Sequence, residues 1–211
     1  MTRSRLSVAV FASGRGSNFQ AILDQTDKPD PDFKVVCCIS DRRNAGALDL
    51  ASKRDIPAVI LHPRDFPTEE DYSRILLEKL RTYGADFIAL AGFLKKIPVG
   101  VIEQFKKRIV NVHPSLLPAF GGPGMYGRRV HEAVIEYGVH WTGASVHLVE
   151  EVYDTGPIVL QEAVPVLPED TPDDVAARVL AVEHRLLPEA LRLFAQGRVT
   201  FEGRRVRIAA S

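Results

Sequence analysis

Five short apolar runs, RLSVAVFA, FKVVCCIS, PAVIL, ADFIALAGF and RIVNVHP, recur between Arg5 and Pro114. Helical signals lie in the stretches between them. Ser17 to about Thr26 and AGALDLASKRD read as helices. Thr68 reads as an N-cap ahead of EEDYSRILLEKLRTYG, with an acidic first turn and Gly84 at the end. Pro98 opens a short helix in PVGVIEQFK. Strands spaced this way cannot pair through tight hairpins. They need helical crossovers, which lay the strands parallel and cover both faces of the sheet.

Past His113 the pattern changes. HPSLLPAFGGPGMYGRR reads as one long turn-rich segment, and ASVHLVEE and GPIVLQEAVPV read as two further strands. Thr171-Pro172-Asp173-Asp174 has the cap, the N1 proline and the acidic first turn that open a long helix, DDVAARVLAVEHRLLPEALRLFAQG. Pro188 is expected to kink it. RVTFEGRRVRIAAS reads as a terminal hairpin around Glu202-Gly203. The expected fold class is α/β: an open, mostly parallel twisted sheet with helices on both faces and a Rossmann-like first half. Residues 1–211 are expected to form one domain. Within it, 1–110 is a phosphate-binding βα half and 111–211 carries the chemistry and the long helix.

Charge narrows the partners. Lys+Arg and Asp+Glu both number 27, so the formal net charge is zero. That balance argues against a nucleic-acid coat or a binder of acidic membranes and favours a small anionic substrate. No apolar run approaches the roughly 20 residues needed to span a bilayer, and Gly14 and Arg15 interrupt the first apolar stretch too early for a signal peptide. A cytoplasmic location is expected. Cys37 and Cys38 are adjacent on a strand, point to opposite faces, and read as reduced packing thiols.

The first strand runs into Gly14-Arg15-Gly16-Ser17-Asn18. A dinucleotide fingerprint needs a third glycine where Phe19 stands, and a Walker A loop needs a lysine that is missing. What remains is a turn with N–H donors at Gly16, Ser17 and Asn18 ahead of a helix, suited to one phosphate monoester. At the end of the fifth apolar run, Asn111 and His113 share a strand face where open α/β sheets collect ligands. An amide and an imidazole side by side can donate to a carbonyl oxygen that becomes an oxyanion. Asp154 could face such an imidazole and help remove a proton from an attacking amine. His131, His140 and His147 join His113 in one stretch, but no pair has metal-binding helical spacing, so no metal is expected. Ser115 lacks the G-x-S-x-G setting of an acyl-enzyme nucleophile.

With those residues placed, nearly the whole chain resembles the phosphoribosylglycinamide formyltransferase family. SGRGSN looks like its phosphate loop, LAGFLKKI its folate-contacting segment, NVHPSLLP its catalytic strand end, DTGPIVLQ the loop carrying its aspartate, and EHRLLPEAL its C-terminal helix. The resemblance implies formyl transfer from 10-formyltetrahydrofolate, as co-substrate, to the amine of glycinamide ribonucleotide. It implies that Gly16, Ser17 and Asn18 hold the substrate phosphate and that Glu183 contacts its ribose. Asn111 and a protonated His113 would stabilise the oxyanion. Asp154 would keep His113 charged and manage the amine proton through water. The folate would meet Leu94, Lys95, Lys96 and Ile97, the amide of Asn111, and the loop of Val149, Glu150, Glu151, Val152 and Tyr153. A cis peptide before Pro118 is also implied.

Several positions depart from the family pattern. Arg15 stands where an asparagine is common, Leu180 replaces a polar residue, Glu69 takes the place of an arginine, and Lys95 stands where arginine is frequent. AFGGPGMYGRRVHEAV is a long form of its loop. Methionyl-tRNA formyltransferases share the Asn-His-Asp core but carry a further C-terminal nucleic-acid-binding domain, and formyltetrahydrofolate deformylases carry an added N-terminal regulatory domain. Length disfavours both here, and a neutral net charge offers little for tRNA phosphates. A non-catalytic folate or phosphoribosyl sensor would not need an oxyanion donor beside an acid–base pair. The expected partners are therefore small molecules, without nucleic acid or membrane, in a monomer or weak homodimer.

Overall fold

The computed structural model describes residues 5–210, so whatever falls on residues 1–4 and 211 lies outside it. Seven strands form one mostly parallel sheet. They are β1 (Leu6–Phe11), β2 (Phe33–Ser40), β3 (Ala58–Ile60), β4 (Phe87–Leu90), β5 (Ile109–His113), β6 (Trp141–Leu148) and β7 (Ile158–Pro165), in the order β3-β2-β1-β4-β5-β6-β7. β1 pairs parallel with both β2 and β4, β2 pairs parallel with β3, and β6 and β7 run antiparallel. The helices are α1 (Ser17–Thr26), α2 (Gly46–Ser52), α3 (Glu69–Thr82), α4 (Val99–Gln104), α5 (Arg128–Tyr137) and α6 (Pro172–Ala195). A separate two-stranded sheet joins β8 (Val199–Glu202) and β9 (Arg205–Ile208).

The chain divides into two compact units, one up to Val110 and one from Asn111 onward. In the first unit β1 is a central strand, and Val8, Ala9, Val10, Phe11 and Ala12 are all fully buried. A strand covered on both faces has no polar side, which is why its sequence reads as a continuous apolar run. The strand order reverses at β1, between β2 and β4. Ligands of open α/β sheets gather beyond the carboxyl ends at such a point. α3 begins as its sequence requires, with the Thr68 hydroxyl accepting from the Asp71 N–H at 3.1 Å. Cys37 and Cys38 are free and buried, and burial pushes both thiols up to about 12, which leaves them inert as nucleophiles at neutral pH.

In the second unit α6 opens with a capping box between Thr171 and Asp174. It continues as one helix through Pro188, whose ring takes a buried place inside it. α5 is missing from the sequence reading, whose turn-rich segment ends at Arg129 and which assigns no element to residues 130–137. The helix begins at Gly127 with no side-chain cap and no acidic first turn, so no start signal is written there. Its apolar stripe is short, with Val130 and Val134 fully buried. The terminal hairpin forms around Glu202 and Gly203, with Gly203 at φ 60. The bond between Leu117 and Pro118 is cis. Among the described residues, no helix is long and apolar enough to cross a membrane.

Candidate active site

In the first unit the glycine turn lies at the carboxyl end of β1. Gly16 is the N-cap of α1 at φ 88, and a Cβ there would meet Leu50 Cδ1 at 2.8 Å and Ala47 Cα at 3.0 Å. Both backbone conformation and space therefore require glycine. Helical bonding starts with Gln20 N donating to Gly16 O at 2.8 Å. No side chain caps the helix, and no acidic residue sits in its first turn. The helix's own first turn therefore brings no carboxylate to the positive end of its dipole. Arg15 has an exposed side chain, while its backbone packs on Gly46, where a Cβ would lie 2.8 Å from Arg15 O.

The segment after β4 is tied to the same turn. Ser13 Oγ accepts from Leu94 N at 2.9 Å, and Ser13 N donates to Gly92 O at 3.1 Å. Leu94 is exposed, Ile97 is buried, and Lys96 is exposed. Lys95 Nζ stands 3.8 Å from Oδ2 of Asp41, a carboxylate almost wholly shielded from solvent.

In the second unit β5 presents Asn111 and His113, and Asp154 sits in the loop between β6 and β7 at φ 58. The structure brings these three together. His113 Nε2 donates to Phe120 O at 2.8 Å, and its Nδ1 lies 3.6 Å from Asp154 Oδ2. Gly122 N donates to the same Oδ2 at 2.8 Å. The other oxygen, Oδ1, is 3.5 Å from His147 Nε2, and that nitrogen is 3.1 Å from Asn111 Nδ2. His147 Nδ1 in turn lies 2.8 Å from Leu148 O.

His147 is the residue the sequence reading missed, since there it counted only toward a metal set. The signal was present: Ser145 and His147 are two apart on one strand, so they share a face. Ser145 Oγ donates to Ser115 O at 2.6 Å, and accepts from Leu117 N at 3.0 Å and Gln161 Nε2 at 2.8 Å. This buried hydroxyl pins the turn that follows His113. The Ser115 hydroxyl is itself spent on Ala119 O at 2.6 Å, which removes it as a nucleophile.

Burial lowers the His113 pKa below the ordinary histidine value, against the upward pull of Asp154 and the Phe120 carbonyl. That lowering favours the neutral ring, whereas the acceptors facing both ring nitrogens, Phe120 O and Asp154 Oδ2, favour the protonated one that the resemblance implies. Burial also works to raise Asp154, but the His147 ring, the charge on His113 and the Gly122 N–H outweigh it and hold the carboxyl below its usual range. An ionised carboxylate beside an imidazole can stabilise a proton as charge develops nearby.

Val152 and Tyr153 are exposed on the Asp154 loop, as are Glu150 and Glu151, and Val149 is half-buried. Glu183 is buried on α6. Arg204, at the tip of the terminal hairpin, donates to Thr155 O and lies 3.5 Å from Glu150 Oε2, so it grips both arms of that loop.

A formyl transferase family model matches residues 6–191. The chain is 41% identical over 196 residues to the chloroplastic phosphoribosylglycinamide formyltransferase of Arabidopsis thaliana, covering 92% of this chain. It spans about two thirds of the length of the plant relatives, 67% of that protein and 64% of the one from Vigna unguiculata. It is 34% identical to the phosphoribosylglycinamide formyltransferase of Haemophilus influenzae, covering 91% of this chain and 88% of that one. Among solved structures, glycinamide ribonucleotide transformylase 1 of Symbiobacterium toebii superposes with a TM-score of 0.91 at 42% identity, over 98% of this chain and 95% of that one. The chain belongs to the formyl transferase family, within the phosphoribosylglycinamide formyltransferases, and is a formyl-transferring enzyme.

Proposed function

We propose that this enzyme moves the formyl group of 10-formyltetrahydrofolate to the amine of glycinamide ribonucleotide, with Asn111, His113 and Asp154 as its catalytic residues. The observation that carries the residue assignment is the cluster itself: an amide and an imidazole on one strand face, with a carboxylate held ionised against the imidazole. The amine nitrogen adds to the formyl carbon and the carbonyl electron pair moves onto oxygen. N–H groups of Asn111 and His113 donate to that oxygen as it charges. For this the His113 Nε2 proton exchanges its resting acceptor, Phe120 O, for the substrate oxygen. The proton shed by the attacking nitrogen passes to the His113–Asp154 pair and ends on the departing folate nitrogen as the old C–N bond breaks.

Gly16, Ser17 and Asn18 hold the phosphate in this reading, supported by a helix N-terminus that lacks a side-chain cap and acidic residues. Glu183 is assigned to the ribose. The folate is assigned to Leu94, Lys95, Lys96 and Ile97, to the Asn111 amide, and to the Val149, Glu150, Glu151, Val152 and Tyr153 loop. Leu94 in the first unit, and Val152 and Tyr153 in the second, are exposed apolar side chains of the kind a planar ring system packs on. No step calls for a metal. Two variants test these assignments separately. Ser17→Asp sets a carboxylate in the phosphate turn and is expected to weaken ribonucleotide binding by at least about 10-fold in calorimetric titration. His113→Ala is expected to lower kcat by about 10²-fold. Wild-type affinity in the first, or a wild-type kcat in the second, removes that residue from its role.

A further inference from the structure

We propose that His147 is a positioning residue for the transfer reaction, fixing the side-chain amide of Asn111 so that one of its N–H groups is always directed away from the imidazole. The inference rests on Asn111 acting as the oxyanion donor and deepens that reading. His147 is buried at 2% exposure on β6, and both of its ring nitrogens are engaged. Nδ1 lies 2.8 Å from Leu148 O. A carbonyl only accepts, so the proton of a neutral ring is on Nδ1. Nε2 then carries a lone pair and can only accept. Asn111 Nδ2 stands 3.1 Å away and supplies the donor.

The amide is thereby oriented. An asparagine turned end for end would set its own oxygen against the Nε2 lone pair, two acceptors in a buried place, at a cost comparable to an unmade hydrogen bond. With one Nδ2 hydrogen committed to His147, the second is the only side-chain N–H that Asn111 has left for a ligand. Asp154 Oδ1, 3.5 Å from the same Nε2, is the competitor: when Nε2 carries a proton the ring donates to that carboxylate and no longer accepts from the amide. The Leu148 carbonyl thus decides the outcome, by keeping the single proton of the neutral ring on the far nitrogen.

The test combines one spectroscopic and one kinetic measurement on the full chain. Nitrogen-15 NMR of histidine-labelled protein in mildly alkaline buffer, with His147→Gln used to assign the signal, is expected to show the His147 ring protonated on Nδ1 alone. A proton on Nε2 would overturn the proposal. In steady-state kinetics, His147→Phe removes the acceptor and is expected to lower kcat by roughly 10-fold with KM within about twofold. His147→Gln keeps an acceptor and is expected to recover most of that loss. In an Asn111→Ala background, His147→Phe should cost less than about twofold, because no amide remains to be oriented. An equal loss in both backgrounds defeats the positioning role while leaving Asn111 as the donor. An Asn111→Ala variant with wild-type kcat defeats the donor reading, and the proposal with it. Should His147→Phe fail to fold, the NMR signature and the kcat of His147→Gln decide: a 10-fold loss in His147→Gln counts against the proposal.

Discussion

Two titrating side chains of the site, His113 and Asp154, tie catalysis to stability through pH, and both act with the same sign. Burial makes the folded state hold the His113 proton less tightly than the unfolded chain does. Stability that depends on neutral His113 is therefore complete above 6.5 and is lost as pH falls from 6.5 toward the lower folded value. Asp154 is also lowered in the fold, so its contribution is present above 3.8 and disappears as pH falls below 3.8 through its folded value. His131, lowered by burial as well, adds to the first window. A His113→Gln variant is expected to show a shallower fall of Tm just below pH 6.5 in calorimetry, with a remainder due to His131. An unchanged slope there would mean that His113 is not held neutral by its surroundings. At this scale the sequence pointed to Asn111 and His113 through their shared strand face, and to Asp154 mainly through the family resemblance, since Asp-Thr-Gly-Pro alone reads as a turn. It was silent on Phe120 and Gly122, which act through a backbone carbonyl and a backbone N–H, groups every residue carries.

Elements hold these side chains through a few buried or bridging contacts. Ser145 on β6 serves the turn after β5 with three hydrogen bonds, to Ser115 O, Leu117 N and Gln161 Nε2. Ser145→Ala strands those partners in a buried place and is expected to cost about 2 kcal/mol in denaturant unfolding, beyond what one exposed hydroxyl is worth. A loss under about 0.5 kcal/mol would show the network to be dispensable. The terminal hairpin grips the Asp154 loop through Arg204. Arg204→Ala is expected to speed amide hydrogen exchange in residues 150–156 and leave global Tm nearly unchanged, since exposed Arg contacts contribute little to overall stability. Unchanged exchange in that loop would remove the hairpin as its brace. Alternation and caps made most elements legible, including α3 and α6 with their Thr68 and Thr171 N-caps. α5 escaped because glycines bound both of its ends and its apolar stripe is only a few residues long. The reach of the hairpin to Thr155 also escaped, since a separation of 49 residues leaves no periodic trace.

Across the whole molecule, five apolar runs with helical crossovers foretell a mostly parallel sheet, and the structure supplies its order, β3-β2-β1-β4-β5-β6-β7, ending in an antiparallel pair. The same order puts the SGRGSN turn at the reversal of strand order, so the placement of that turn follows from topology as well as from its glycines. Which histidine meets which carboxylate was not legible in this way, because Asp154 and His113 are 41 residues apart and no local pattern encodes their meeting. A neutral overall charge leaves substrate capture to placed groups and not to a long-range field. The most direct measurement is product analysis with the purified chain, glycinamide ribonucleotide and 10-formyltetrahydrofolate. The expected result is one formylated ribonucleotide for each tetrahydrofolate released, with no free formate. Formate release with the ribonucleotide amine left unmodified would mean that water, and not the amine, is the acceptor, and would contradict the transfer reaction proposed for Asn111, His113 and Asp154.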